Sequence, residues 1–208
     1  MKNNSIRILV VDDHRIVRTG LKALFASEKG LEVVAEADDG ASALRVAREL
    51  APDVAVVDLM MPGMDGAETI ARLGAEAPAT RTLVLTSCDS SDVLSRALAA
   101  GASGAVLKTS DDESLLTGVR EVAAGRRFLS PEVRRLLSQD PPVAPFTPRQ
   151  SEVLESLTRG FTNADIARQL GICEASVEEH VKAILAKVGA ANRTEAVAIA
   201  LRKHLLKI

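Results

Sequence analysis

The chain has 208 residues and a formal net charge of −2, with 26 Lys/Arg against 28 Asp/Glu, a length that suits one large or two small domains. No apolar run is long enough for a bilayer span, and the segment before Asp12, with Lys2 and Arg7, has no apolar leader core, so a cytoplasmic chain is expected. Four Phe with no Trp or Tyr point to aliphatic cores without base stacking, and two distant cysteines, Cys88 and Cys173, lack metal-ligand spacing and suit a reduced compartment.

The first predicted element, Ile6–Val11, is an apolar strand that runs into Asp12-Asp13-His14. Val17, Leu21, Leu24 and Phe25 then recur at helical spacing, Gly30 punctuates, and 31–35 reads as a second strand. Ala43, Leu44, Ala47 and Leu50 stripe a helix that stops near Pro52. Val54–Val57 is a third strand, apolar throughout as in a parallel sheet covered on both faces, and it ends on Asp58. Pro62-Gly63 and Asp65-Gly66 force a loop before a helix at about 67–73. Leu83, Val84 and Leu85 lead to Thr86-Ser87, and a helix from about Ser90 carries Val93, Leu94, Ala97 and Leu98. Ala105, Val106 and Leu107 end in Lys108, and Leu115, Leu116, Val119 and Val122 stripe a last helix closed by Gly125. Strands alternating with helices predict an α/β, doubly wound sheet of five parallel strands with right-handed crossovers.

In such a sheet of order 2-1-3-4-5, ligands bind at the carboxyl ends of the strands, and the first and third strands are neighbours at the switch point. Asp12, Asp13 and Asp58 then converge on one mouth. Alone, Asp58 could equally cap the next helix. Three adjacent carboxylates repel, and a hard divalent cation such as Mg2+ relieves that repulsion. Thr86 and Lys108 add a hydroxyl and an ammonium at two further strand ends. Such a set suits a phosphoryl group carried by an aspartate.

The set Asp12-Asp13, Asp58 with Met61-Pro62-Gly63-Met64-Asp65-Gly66, Thr86 and Lys108 resembles the receiver domain of two-component response regulators, a flavodoxin-like fold, over about residues 5–125. The resemblance implies a phosphoacceptor at Asp58. It implies Mg2+ held by Asp12, Asp13, Asp58 and the Met60 backbone carbonyl, with phosphoryl oxygens met by Thr86 and Lys108. It also implies a sensor histidine kinase, or a small phosphodonor, as the source of the group.

Residues 126–145 read as a connector. Arg126-Arg127 and Arg134-Arg135 flank a short apolar patch, and Pro141, Pro142 and Pro145 predict a stiff, extended segment outside any core. From Phe146 every pattern is helical. Thr147-Pro148 opens a helix striped by Val153, Leu154 and Leu157. Thr162 or Asn163 caps a second with Ile166, Ala167 and Leu170, and Gly171-Ile172-Cys173-Glu174 turns into a third. Val177, Val181, Ile184, Leu185 and Val188 mark its inner face, with His180 near it, and a fourth helix spans 193–206. A short helix, a Gly turn and a second helix make a helix-turn-helix, whose second helix enters a DNA major groove. Residues 145–208 hold nine Lys/Arg against seven Asp/Glu and the rest 17 against 21, which points weakly to an anionic partner for the C-terminal half.

The stretches Thr147-Pro148-Arg149, Thr162-Asn163-Ala164-Asp165-Ile166-Ala167, Ser176-Val177, His180-Val181 and Asn192-Arg193-Thr194-Glu195-Ala196 resemble the LuxR-type DNA-binding domain of NarL/FixJ response regulators, over about 146–200. Together the resemblances imply a receiver at 1–125, a linker at 126–145 and a four-helix DNA-binding domain at 146–208. They imply a homodimer that binds double-stranded DNA and controls transcription without being a turnover enzyme. Candidate DNA contacts are Ser176, Glu178, Glu179, Lys182, Lys187 and Arg193.

Three positions depart from the family pattern. Glu178, followed by Glu179, stands where a basic residue is usual, and it lies in the favourable order to pair with Lys182. Ala105 replaces an aromatic switch residue, and Thr109 a proline common in other receivers. The two glutamates motivate an alternative, an adaptor acting through protein contacts. A phosphatase using Asp58 as nucleophile would need a neighbouring general acid, which Leu59-Met60 does not offer.

Overall fold

The computed structural model describes residues 5–87 and 89–206, so Cys88 and the chain ends, Lys2 among them, lie outside the described residues. Strands and helices alternate as β1 (Ile6–Val11), α1 (Arg15–Ser27), β2 (Leu31–Ala37), α2 (Gly40–Leu50), β3 (Val54–Val57), α3 (Gly66–Glu76), β4 (Arg81–Thr86), α4 (Ser91–Ala99), β5 (Gly104–Leu107) and α5 (Asp112–Ala123). The strands are parallel in the order β2-β1-β3-β4-β5. The central strands are apolar because both faces of the sheet are covered. Leu9 and Val11 of β1 pack with Leu44, Ile70 and Leu94 on one face. Ile8 and Val10 pack with Phe25, Leu115 and Val119 on the other. A fully buried aliphatic or aromatic side chain of this size contributes about 1.5–3 kcal/mol.

The sheet has six strands rather than the expected five. β6 (Phe128–Leu129) extends it beside β5, with Ser130 N–H donating to the Ala105 carbonyl at 3.0 Å. The stiff connector expected at 126–145 is therefore corrected over most of its length. Ser130 caps a helix, α6 (Pro131–Gln139), with Pro131 in its first turn. Val133, Leu136 and Leu137 recur at i, i+3 and i+4, and Val133 is fully buried against the sheet core. The prolines that suggested an extended segment act only from Pro141 onward. The chain divides into two compact units between Asp140 and Pro141.

The second unit holds α7 (Pro148–Thr158), α8 (Asn163–Leu170), α9 (Glu174–Val188) and α10 (Arg193–Arg202). Thr147 with Gln150 and Thr162 with Asp165 form reciprocal capping boxes. Gly171 and Gly189 end α8 and α9 in left-handed conformations, with φ of 65° and 69°. α10 ends at Arg202, four residues before the expected end, because His204 takes a φ of 51° that a helix cannot continue through. Leu154, Ile166, Val177 and Ile184 are fully buried between these helices. Among the described residues no helix is long and apolar enough to cross a membrane.

Candidate functional site

The carboxyl ends of β1, β3, β4 and β5 bring together the residues that the sequence singles out. Asp12 and Asp58 are each 2% exposed, and Thr86 is fully buried. Lys108 follows β5, placed by its amide, which donates to the Thr86 carbonyl at 2.8 Å. Its Nζ donates to Asp12 Oδ2 at 2.6 Å and to Asp58 Oδ2 at 2.8 Å. Burial pulls the Lys108 pKa down, but these two hydrogen bonds and the charges behind them outweigh it, so Lys108 titrates above an ordinary lysine. The ammonium thus neutralises part of the charge that three converging carboxylates create.

Asp58 does not cap the following helix. Asp65 does, accepting from Glu68 N–H at 2.8 Å. Asp58 Oδ1 instead accepts from Met60 N–H at 3.3 Å, and Met60 itself is 43% exposed on the loop above the mouth. α3 begins against this loop only because residue 66 is glycine. A Cβ there would stand 2.3 Å from the Asp58 carbonyl oxygen and 2.5 Å from Leu59 Cα.

Asp12, Asp13, His14 and Asp58 each place a ligand atom within 4.8 Å of the others. Asp13 Oδ1 is buried and makes no well-angled hydrogen bond among the described residues, although His14 Nδ1 lies 2.8 Å away. A buried anionic oxygen short of donors beside two further carboxylates fits a hard divalent cation. His14 is the member of this cluster that sequence reading left without a role; its signal was adjacency to the Asp pair.

In the second unit α9 turns Val177 and Ile184 inward and leaves Glu174, Glu178, Glu179 and Lys182 exposed, with Ser176 and His180 half-buried. The Glu178–Lys182 pair favoured by their spacing is not formed among the described residues. Two expected DNA contacts are committed inside the domain. Lys187 Nζ donates to the Pro145 carbonyl at 2.6 Å and to Gln150 Oε1 at 2.8 Å, and lies 5.4 Å from the Phe146 ring centroid. Arg193 donates to the Phe161 carbonyl. Sequence pattern could not reveal this, because both cations bond to backbone brought close only by packing. Cys173, just before α9, is a free exposed thiol within 3.2 Å of Ser176 Oγ.

Comparison with known proteins places both units in known families. Residues 8–120 match the response regulator receiver domain family, and residues 144–200 match the family described as bacterial regulatory proteins, luxR family. The nitrate/nitrite response regulator protein NarP of Escherichia coli K12 is 35% identical over 205 residues, covering 95% of each chain. The transcriptional regulatory protein LiaR of Bacillus subtilis is 35% identical over 209 residues, covering 97% of this chain and 99% of its own. Among solved structures, RcsB from Salmonella enterica serovar Typhimurium, bound to a promoter in the presence of a phosphomimetic, superposes with a TM-score of 0.73 at 26% identity, covering 96% of this chain and 99% of that one.

Proposed function

The chain belongs to the response regulators that join a receiver domain to a LuxR-type DNA-binding domain, and on that premise we propose that Asp58 accepts the phosphoryl group that controls its output. The protein is a DNA-binding transcriptional regulator. The observation that carries the assignment of Asp58 is its bond to Lys108 at the mouth of the sheet, with Asp12 on the same ammonium.

A sensor histidine kinase, or a small acyl phosphate, is the donor. An Asp58 carboxylate oxygen attacks the phosphorus, a P–O bond forms, and the bond from phosphorus to the donor's nitrogen or oxygen breaks. The donor leaves with the electron pair of that bond. Lys108 holds the carboxylate in place and then faces the transferred oxygens, as does the Thr86 hydroxyl. Asp12, Asp13 and Asp58, with the Met60 carbonyl, are the groups that would hold Mg2+. Bound there, the ion would supply neutralisation of phosphoryl charge. The chain acts in the cytoplasm as a homodimer on double-stranded DNA. Ser176, Glu178, Glu179 and Lys182 face the duplex, while Lys187 and Arg193 serve chiefly to hold the domain together.

Acetyl phosphate with Mg2+ should add one phosphoryl group to the full chain, detected by mass spectrometry of the intact protein. Asp58→Asn should abolish the addition. Undiminished labelling of that variant would place the acceptor elsewhere.

A further inference from the structure

We propose that Arg18 is a positioning residue for the acidic site, holding the end of β1 in the shape that binds the cation. This rests on the reading of Asp12 and Asp13 as cation ligands. Both sit on the turn between β1 and α1, a short segment that must keep carboxylates close to one another. The Asp12 side chain is bonded on both oxygens, Oδ1 accepting from His14 N–H at 2.8 Å and Oδ2 from Lys108 at 2.6 Å. What aims that side chain is its backbone. The Asp12 amide donates to the Ala37 carbonyl of β2 at 3.2 Å. The Asp12 carbonyl accepts from Arg18 Nη1 at 2.6 Å.

Arg18 lies on α1, and its side chain is only 14% exposed. Its Nε stands 3.6 Å from Glu36 Oε2 on β2, and Glu36 also takes Lys22 Nζ at 2.5 Å. The hydrogen bond from Lys22, with the charges of Lys22 and Arg18, holds the Glu36 carboxyl below its usual range against the opposing effect of burial, so it stays anionic. The guanidinium is therefore anchored from β2 and spends one donor on the turn. Without that bond, repulsion among Asp12, Asp13 and Asp58 favours a turn that opens when no cation is bound. Closing it again is subtracted from the binding energy. Groups that orient metal ligands from behind are typically worth about 10- to 100-fold in metal affinity.

The test is isothermal titration of Mg2+ into the unphosphorylated full chain, for wild type, Arg18→Ala, Arg18→Lys and Arg72→Ala. Arg72 is a surface guanidinium paired with Glu76, so its loss controls for charge alone. Arg18→Ala should weaken Mg2+ binding by about 10-fold or more, Arg18→Lys should fall between it and wild type, and Arg72→Ala should stay within about twofold. With acetyl phosphate, Arg18→Ala should need more Mg2+ for half-maximal labelling while its rate at saturating Mg2+ stays near wild type. Circular dichroism and the melting temperature without Mg2+ show whether each variant is folded. A folded Arg18→Ala that binds Mg2+ like wild type overturns the inference. So does a loss matched by Arg72→Ala. If Arg18→Ala does not fold, an Arg18→Lys affinity equal to wild type overturns it instead. Wild type that binds no Mg2+ removes the reading of Asp12 and Asp13 as ligands, and this inference with it.

Discussion

Replacing Glu178 by lysine tests how α9 meets DNA. Glu178 is exposed and unpaired among the described residues, and Val177 and Ile184 beside it are fully buried, so a substitution at 178 changes surface charge without touching the core. Lys187 and Arg193 are bonded within the domain, which leaves Lys182 as the exposed cation on this face of α9. Glu178→Lys therefore removes one repulsive charge and adds one phosphate contact. One such contact changes the slope of log affinity against log salt by roughly 0.9 on duplex DNA. Between about 50 and 200 mM salt, a slope change of that size is an extra loss of roughly 3.5-fold. The assay is fluorescence-anisotropy titration of operator and random duplexes at several salt concentrations. Random DNA should bind more tightly and with the steeper slope. If Glu178 reads a cytosine amino group, the operator should instead lose about 1–3 kcal/mol with relaxed preference at one base pair. Unchanged affinity for both duplexes would refute the placement of α9 in the groove.

Two further outcomes follow from the receiver. Val133→Ala removes two buried methyl groups from beneath α6 and should destabilise the first unit by about 2 kcal/mol, read from urea unfolding of residues 1–140; a fragment ending at residue 125 should be less stable still, and equal stability would return 126–140 to the role of a connector. Lys108 has its pKa raised in the folded state, so the stability it adds is fully present below the ordinary lysine value of 10.5 and is lost as pH rises through the higher folded value. Wild type should therefore lose more stability than Lys108→Met across that alkaline window, and parallel curves of unfolding midpoint against pH would show that the Asp12 and Asp58 bonds contribute nothing there.

The alternation of strands and helices through α5, the five residues at the mouth of the sheet and the helix-turn-helix were legible in the residues alone. These signals are local. An apolar run that stops on an aspartate delivers that aspartate to a strand end, whatever lies around it. A Thr-Pro start or a Gly stop sets a helix boundary through backbone geometry alone. Tertiary structure decided the rest. Phe128–Leu129 became a strand because β5 offered an unpaired edge, which no short-range pattern announces. The apolar spacing of Val133, Leu136 and Leu137 was present in the sequence, but neighbouring arginines and prolines masked it until the sheet supplied a surface to cover. Glu178 and Lys182 had the spacing of a pair and did not form one, since two solvated charges gain too little from meeting to fix their side chains. Lys187, Arg193 and Arg18 looked like surface cations or went unread. Each found its partner in a backbone carbonyl, and carbonyls carry no residue type by which a sequence could identify them.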